Sequence, residues 1–238
     1  MDSAPWRTGP VAALAEGTGP EPVLDYYLIR APAGGIDGIV VEEFVRGPDH
    51  STVGLDSAGW TAAAGRWWSS AAFSQRMRAD PELRARVTPV RRDTAAAVHH
   101  RLAGAPLPAE AVLRTRFRDR QPFATAAPLR LGPAGAPDGC HERRVYRVLF
   151  AKDLPADRLA DLATRWGPDG CRPAGRQRIG ADRFSWQLRR VGRDIAWGLD
   201  LTVLLATADD TAVGPVLREL TTAVREQGLI PVTTERFA

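Results

Sequence analysis

The chain has 238 residues, 44% of them hydrophobic, which is enough apolar material for one large core or two smaller ones and excludes disorder of the whole. Its 22 Gly and 19 Pro are too few for a low-complexity protein and too many for a helical bundle. Lys152 is the only lysine among the 32 basic residues, and so much arginine reflects a GC-rich coding sequence. The net charge of +4 is therefore no argument by itself for a nucleic-acid partner.

Charge is unevenly placed: residues 1–60 hold 3 Arg against 9 acids, and residues 61–120 hold 12 against 5. Acidic and basic stretches of this kind are able to lie against each other within one fold. Cys140 and Cys171 stand far apart in loop-like sequence, which implies no disulfide framework and a reducing compartment. Met1–Gly9 lacks the basic and apolar regions of a signal peptide, and no run approaches the length of a membrane span. A cytoplasmic protein with no membrane partner is expected.

Residues 1–22, ending in TGPEP, read as a flexible arm. A mixed α/β N-terminal domain is expected over 23–123. Leu24–Arg30 and Ile39–Arg46 are β-branched and aromatic runs parted by Gly34-Gly35 and Asp37-Gly38, and predict a hairpin. Residues 47–60 read as a polar loop. Trp67, Trp68, Ala71, Ala72, Phe73 and Met77 fall near helical spacing and predict a helix over 61–79. Asp80-Pro81 opens a short helix to Arg86, Val87–Val90 is a short strand, and Asp93 caps a helix over 94–102 that stops at Gly104. Pro108 opens a further helix through Phe117.

Residues 124–141 are crowded with Pro, Gly and Ala and predict a linker. Beyond it, Glu142–Phe150 reads as a strand, and Asp153 with Pro155 starts a helix whose Leu159, Leu162, Ala163 and Trp166 share one side. Arg183–Val191 and Asp194–Thr207 alternate apolar with polar residues about a Gly192-Arg193 turn. A second amphipathic helix opens at Gly214-Pro215 and stops at Gly228, and Ile230–Thr234 is the last strand. The protein is thus expected to be α+β, with residues 142–238 following the βαββαβ plan of ferredoxin-like domains, both helices on one face of an antiparallel sheet. The other face should carry Arg147, Ser185, Gln187, Arg189, Asp200 and Thr202.

No motif for nucleophilic catalysis or phosphate binding occurs. His50, His99-His100, Cys140-His141 and Cys171 lack metal-ligand spacing, so no metal or cofactor site is expected. His99 and His100 would point about 100° apart on a helix, so at most one of them faces a core or a cleft.

Surfaces are better represented than catalytic residue types. The first reading is a non-enzymatic interaction or adaptor module that binds a protein partner or self-associates. Its contacts would be Trp67, Trp68 and the alternating Arg114, Arg116, Arg118 and Arg120. The alternative is a cofactor-independent enzyme of the dimeric α+β-barrel type acting on a small molecule. There His141 would move protons and Arg147 would stabilise an anion beside Gln187 and Asp200. RNA binding comes third, because Trp186 and Trp197 fall on the apolar sheet face rather than the open one.

Overall fold

A computed structural model describes residues 23–123, 135–167, 172–192 and 196–237. The N-terminal arm, most of the linker, Cys171 and Arg193 lie outside the described residues. The protein is of mixed α+β class, with two antiparallel sheets of six and five strands and six helices among the described residues. Two compact units result. Within the described residues, one comprises 23–47 and 52–123, and the other comprises 48–51 and everything from 135 on.

The first unit contains β1 (Asp25–Arg30), β2 (Ile36–Arg46), β3 (Thr52–Thr61), β4 (Trp67–Ser69), α1 (Ala71–Ala79), α2 (Pro81–Ala85), β5 (Val87–Val90), α3 (Arg92–Ala103), α4 (Glu110–Arg114) and β6 (Gln121–Pro122). Its strands lie in the order β4-β3-β2-β1-β5, with β6 also paired to β3. Tyr26, Leu28, Ile39, Val41 and Ala58 form one face and pack with Ala95 and Val98 of α3 and Leu113 of α4. On the other face α1 sends Arg78 to Glu42 of β2, in two hydrogen bonds of 2.9 and 2.7 Å. Both partners are buried, so each is tolerable only because the other neutralises it.

Two sequence expectations fail here. The stretch read as a polar loop holds β3, and the long helix over 61–79 is replaced by the end of β3, a turn, β4 and then α1. The register pairs Gly59 with Trp68 and Trp60 with Trp67, so the two adjacent tryptophans project to opposite faces of a strand. Trp68 lies against the backbone of Gly59, where an added Cβ would meet its ring at 2.5 Å. Glycine in β3 is the seat for that ring, and it is also what disguised the strand. The helix expected from Pro108 through Phe117 contracts to α4, whereas α3 brackets its expected span and ends in a left-handed Gly104 at φ 67°.

The second unit contains β7 (Glu142–Ala151), α5 (Ala156–Trp166), β8 (Ala174–Ile179), β9 (Asp182–Val191), β10 (Ala196–Leu205), α6 (Val213–Glu226) and β11 (Ile230–Arg236). The order is β11-β7-β10-β9-β8. The expected strands are present, with β8 added beyond β9 at the edge. Tyr146, Val148 and Phe150 of β7 and Leu199, Leu201 and Val203 of β10 form one core with Leu162 and Trp166 of α5 and Leu217, Leu220 and Val224 of α6. Burial of each such side chain contributes about 1.5–3 kcal/mol. Membership of one core places both helices on the same face of the sheet.

Helix α5 starts later than expected. Pro155 holds the N-cap position, while the Asp153 carboxylate accepts the Leu154 N–H at 3.0 Å and pairs with Arg190 instead of capping. Among the described residues no helix is long and apolar enough to cross a membrane.

Candidate functional site

Side chains alternate along a strand, so the register of the second sheet assigns the described residues of the face that carries no helix among them, the helix-free face. Arg178 of β8 stands opposite Arg183 of β9, which pairs across Leu204 of β10 with Arg143 of β7. The next row runs Arg176, Ser185, Thr202, Val145, and the one after it Ala174, Gln187, Asp200, Arg147, Glu235. Arg189 follows, opposite Gly198. The polar set expected from the sequence therefore does share a face.

Asp200 is the hub of the third row. Arg147 grips it through Nε to Oδ1 at 2.5 Å and Nη2 to Oδ2 at 2.9 Å, and Arg189 adds Nε to Oδ2 at 2.9 Å. Gly198 leaves room for Val191, whose Cγ1 an added Cβ would meet at 2.9 Å, and the Phe237 ring lies 5.3 Å from the Arg147 Cζ. Two guanidinium groups on one carboxylate leave a surplus positive charge in a fixed geometry. At the other end, Arg183 donates to Cys140 Sγ at 2.8 Å. No carboxylate among the described residues pairs with Arg176, Arg178 or Arg183.

Of the residues considered for catalysis, Arg147, Gln187 and Asp200 thus come together. His141 does not join them: it precedes β7, is exposed, and its N–H donates to the Leu205 carbonyl at 2.8 Å. Six residue steps along the strand separate it from Arg147, roughly 20 Å at the usual rise.

The candidate partner contacts are dispersed as well. Trp67 stacks on the buried His99 ring with centroids 6.0 Å apart, and Trp68 meets Phe73 edge-on at 6.2 Å, so both half-buried rings are engaged by their own unit. Arg114 forks onto Glu43 and Arg120 onto Asp56, leaving Arg116 and Arg118 exposed. His100 is exposed, in keeping with one histidine inside and one outside.

Sequence reasoning missed two groupings. Arg176 and Arg178 were invisible because β8 was not recognised, although like charges at alternate positions were the available signal. The other grouping is an ion-pair network in which Arg144 joins Glu142 and Asp210, Arg236 joins Glu142, and His50 Nε2 lies 3.4 Å from Asp210 Oδ2. His50 takes a left-handed backbone at φ 64° and sets its ring edge-on to Tyr146. Hydrogen bonds from Arg144 hold the carboxyls of Glu142 and Asp210 below their ordinary range, and burial pushes the Tyr146 phenol up. Two arginines against two carboxylates make this network self-neutralising, unlike the sheet face.

No group of three or more His, Cys, Asp or Glu among the described residues is placed to hold a metal ion. No protein-family model, curated protein or solved structure matches the chain.

Proposed function

We propose that the protein is a non-enzymatic interaction module that binds a protein partner on the helix-free face of its five-stranded sheet. One observation carries this reading: among the described residues the face bears Arg147, Arg176, Arg178, Arg183 and Arg189 against the two carboxylates of Asp200 and Glu235. Opposed like charges such as Arg178 and Arg183 lower sheet stability, and an anionic partner would relieve them. A second copy of the same face would be repelled. That weighs against the face-to-face barrel dimer on which the enzyme alternative depends, and the distance of His141 from Arg147 weighs against it again. The reading includes a cytoplasmic setting, with Cys140 as a free thiol.

The test is the native mass of the full chain recovered from its own cell extract with RNase present. The expected outcome is a stoichiometric protein partner retained by the R116E/R118E variant and lost from R178E/R183E. A lone 25.8 kDa chain, or a partner indifferent to R178E/R183E, overturns the proposal.

A further inference from the structure

Strand β8, of sequence Ala-Gly-Arg-Gln-Arg-Ile, ends the sheet order and has a neighbour only on the β9 side among the described residues. Its pairing begins where the Leu188 N–H donates to the Pro173 carbonyl at 2.8 Å. Hydrogen-bonded and non-bonded pairs alternate along an antiparallel ladder, so Gly175, Gln177 and Ile179 turn their backbone groups toward β9. Ala174, Arg176 and Arg178 turn theirs outward. The Ala174 N–H is already taken by the Arg172 carbonyl at 2.8 Å, which leaves Arg176 and Arg178 to present N–H and C=O pairs at the edge. Their side chains belong to the basic face, beside Arg183.

Resting on the interaction reading, we propose that the partner contributes an extended segment with acidic residues at alternate positions, which adds to β8 as a sixth strand. A strand docked there lies about 4.8 Å away and repeats every second residue at roughly 6.8 Å, the spacing of Arg176 and Arg178. Its carboxylates then stand beside those two guanidinium groups and dilute their repulsion with Arg183. The main chain supplies affinity and the charges supply selection.

Charge excludes the other strand nearest to hand. A second copy of β8 would set arginine against arginine, so the residues that guard this edge against self-pairing are the ones that admit an acidic strand. Single-stranded nucleic acid suits the charge but finds little to stack on, since Trp186 and Trp197 belong to the opposite, core-facing side and Phe237 is covered by Arg147.

The experiment uses the full chain and three labelled probes of about ten units each, the length of a long strand: a peptide alternating Glu and Thr, its Gln-for-Glu counterpart, and oligouridylate. The Glu peptide should bind about tenfold more tightly than the Gln peptide and more tightly than oligouridylate. Binding should slow hydrogen exchange at the Arg176 and Arg178 amides. Proline at Arg176 removes an outward N–H without touching the ladder to β9, so R176P should lose the peptide while keeping the unliganded amide protection of β9 and β10.

Equal binding of the two peptides, binding that leaves both amides unprotected, or preference for oligouridylate overturns the acidic strand. The two proposals fail separately. A native partner that depends on Arg178 and Arg183 yet leaves the β8 amides unprotected sinks the strand-addition idea and spares the interaction module.

Discussion

The two sheets use arginine in opposite ways. In the first unit four arginines that pack on the sheet are matched: Arg78 to Glu42, Arg114 to Glu43, Arg120 to Asp56, and Arg92 to Glu110 beside the Tyr26 hydroxyl. In the second unit the helix-free face shares one carboxylate between Arg147 and Arg189 and, among the described residues, gives none to Arg176, Arg178 or Arg183. The first sheet is covered by helices on both faces, so an unmatched charge there would be desolvated at a large cost. On the helix-free face of the second, Arg176, Arg178, Gln187 and Arg189 are exposed, and surplus charge there is tolerable.

Loss of a matched arginine should be the most damaging change. Arg78→Leu leaves the fully buried Glu42 carboxylate alone and should cost about 3–5 kcal/mol in urea unfolding, while Arg78→Met combined with Glu42→Leu recovers most of it. An R78L loss below about 1 kcal/mol would mean that the pair is not insulated from water.

Both sheets seat a tryptophan ring on a glycine. Trp68 rests on Gly59 and Trp186 on Gly175, each ring 2.5 Å from where a Cβ would be. Alanine at either position should cost about 1–3 kcal/mol. Gly175→Ala should be the worse, because the Trp166 carbonyl, 2.9 Å from the same point, cannot swing away as a ring can.

Removing an unmatched arginine should act in the opposite direction. Arg178→Thr relieves the repulsion with Arg183 and favours a strand, so it should raise stability by about 0.2–1 kcal/mol. A loss of that size would show that the repulsion is already screened.

The smallest effect concerns acid. The carboxyls of Glu142 and Asp210 titrate below their ordinary values in the fold, so their contribution is complete above those values, near pH 4, and disappears as pH falls through the lowered ones. With side chains 31% exposed, both are partly screened and the drop in urea midpoint should be shallow. Arg144→Gln should flatten it further.

How much was legible in the sequence depended on how each element meets water. Strand β10 was plain because Leu199, Leu201 and Val203 face a core while Asp200 and Thr202 do not, which writes a period of two into the chain. Strand β3 was hidden because both of its faces are covered, with Gly59 under a ring and Ser57 buried beside Glu42, so no alternation survives. The tryptophan pair imitated a helical face because Phe73 and Met77 of the true helix follow it closely. Strand β8 was missed for the reverse reason, having too little apolar surface to announce itself. The row Arg147, Gln187, Asp200 could be anticipated from alternation alone, but Arg143, Arg176, Arg178 and Arg183 required the register, which only tertiary pairing sets.

The indole of Trp186 lies on Gly175, within the edge strand itself, and meets Trp166 edge-on at 6.3 Å. Part of the emission of the seven tryptophans therefore originates at the place where a partner strand would settle, and excitation passes readily between two rings so close. A titration needs no attached dye: the protein's own near-ultraviolet fluorescence follows the edge being covered, and the Trp186→Phe variant marks which part of the signal comes from there.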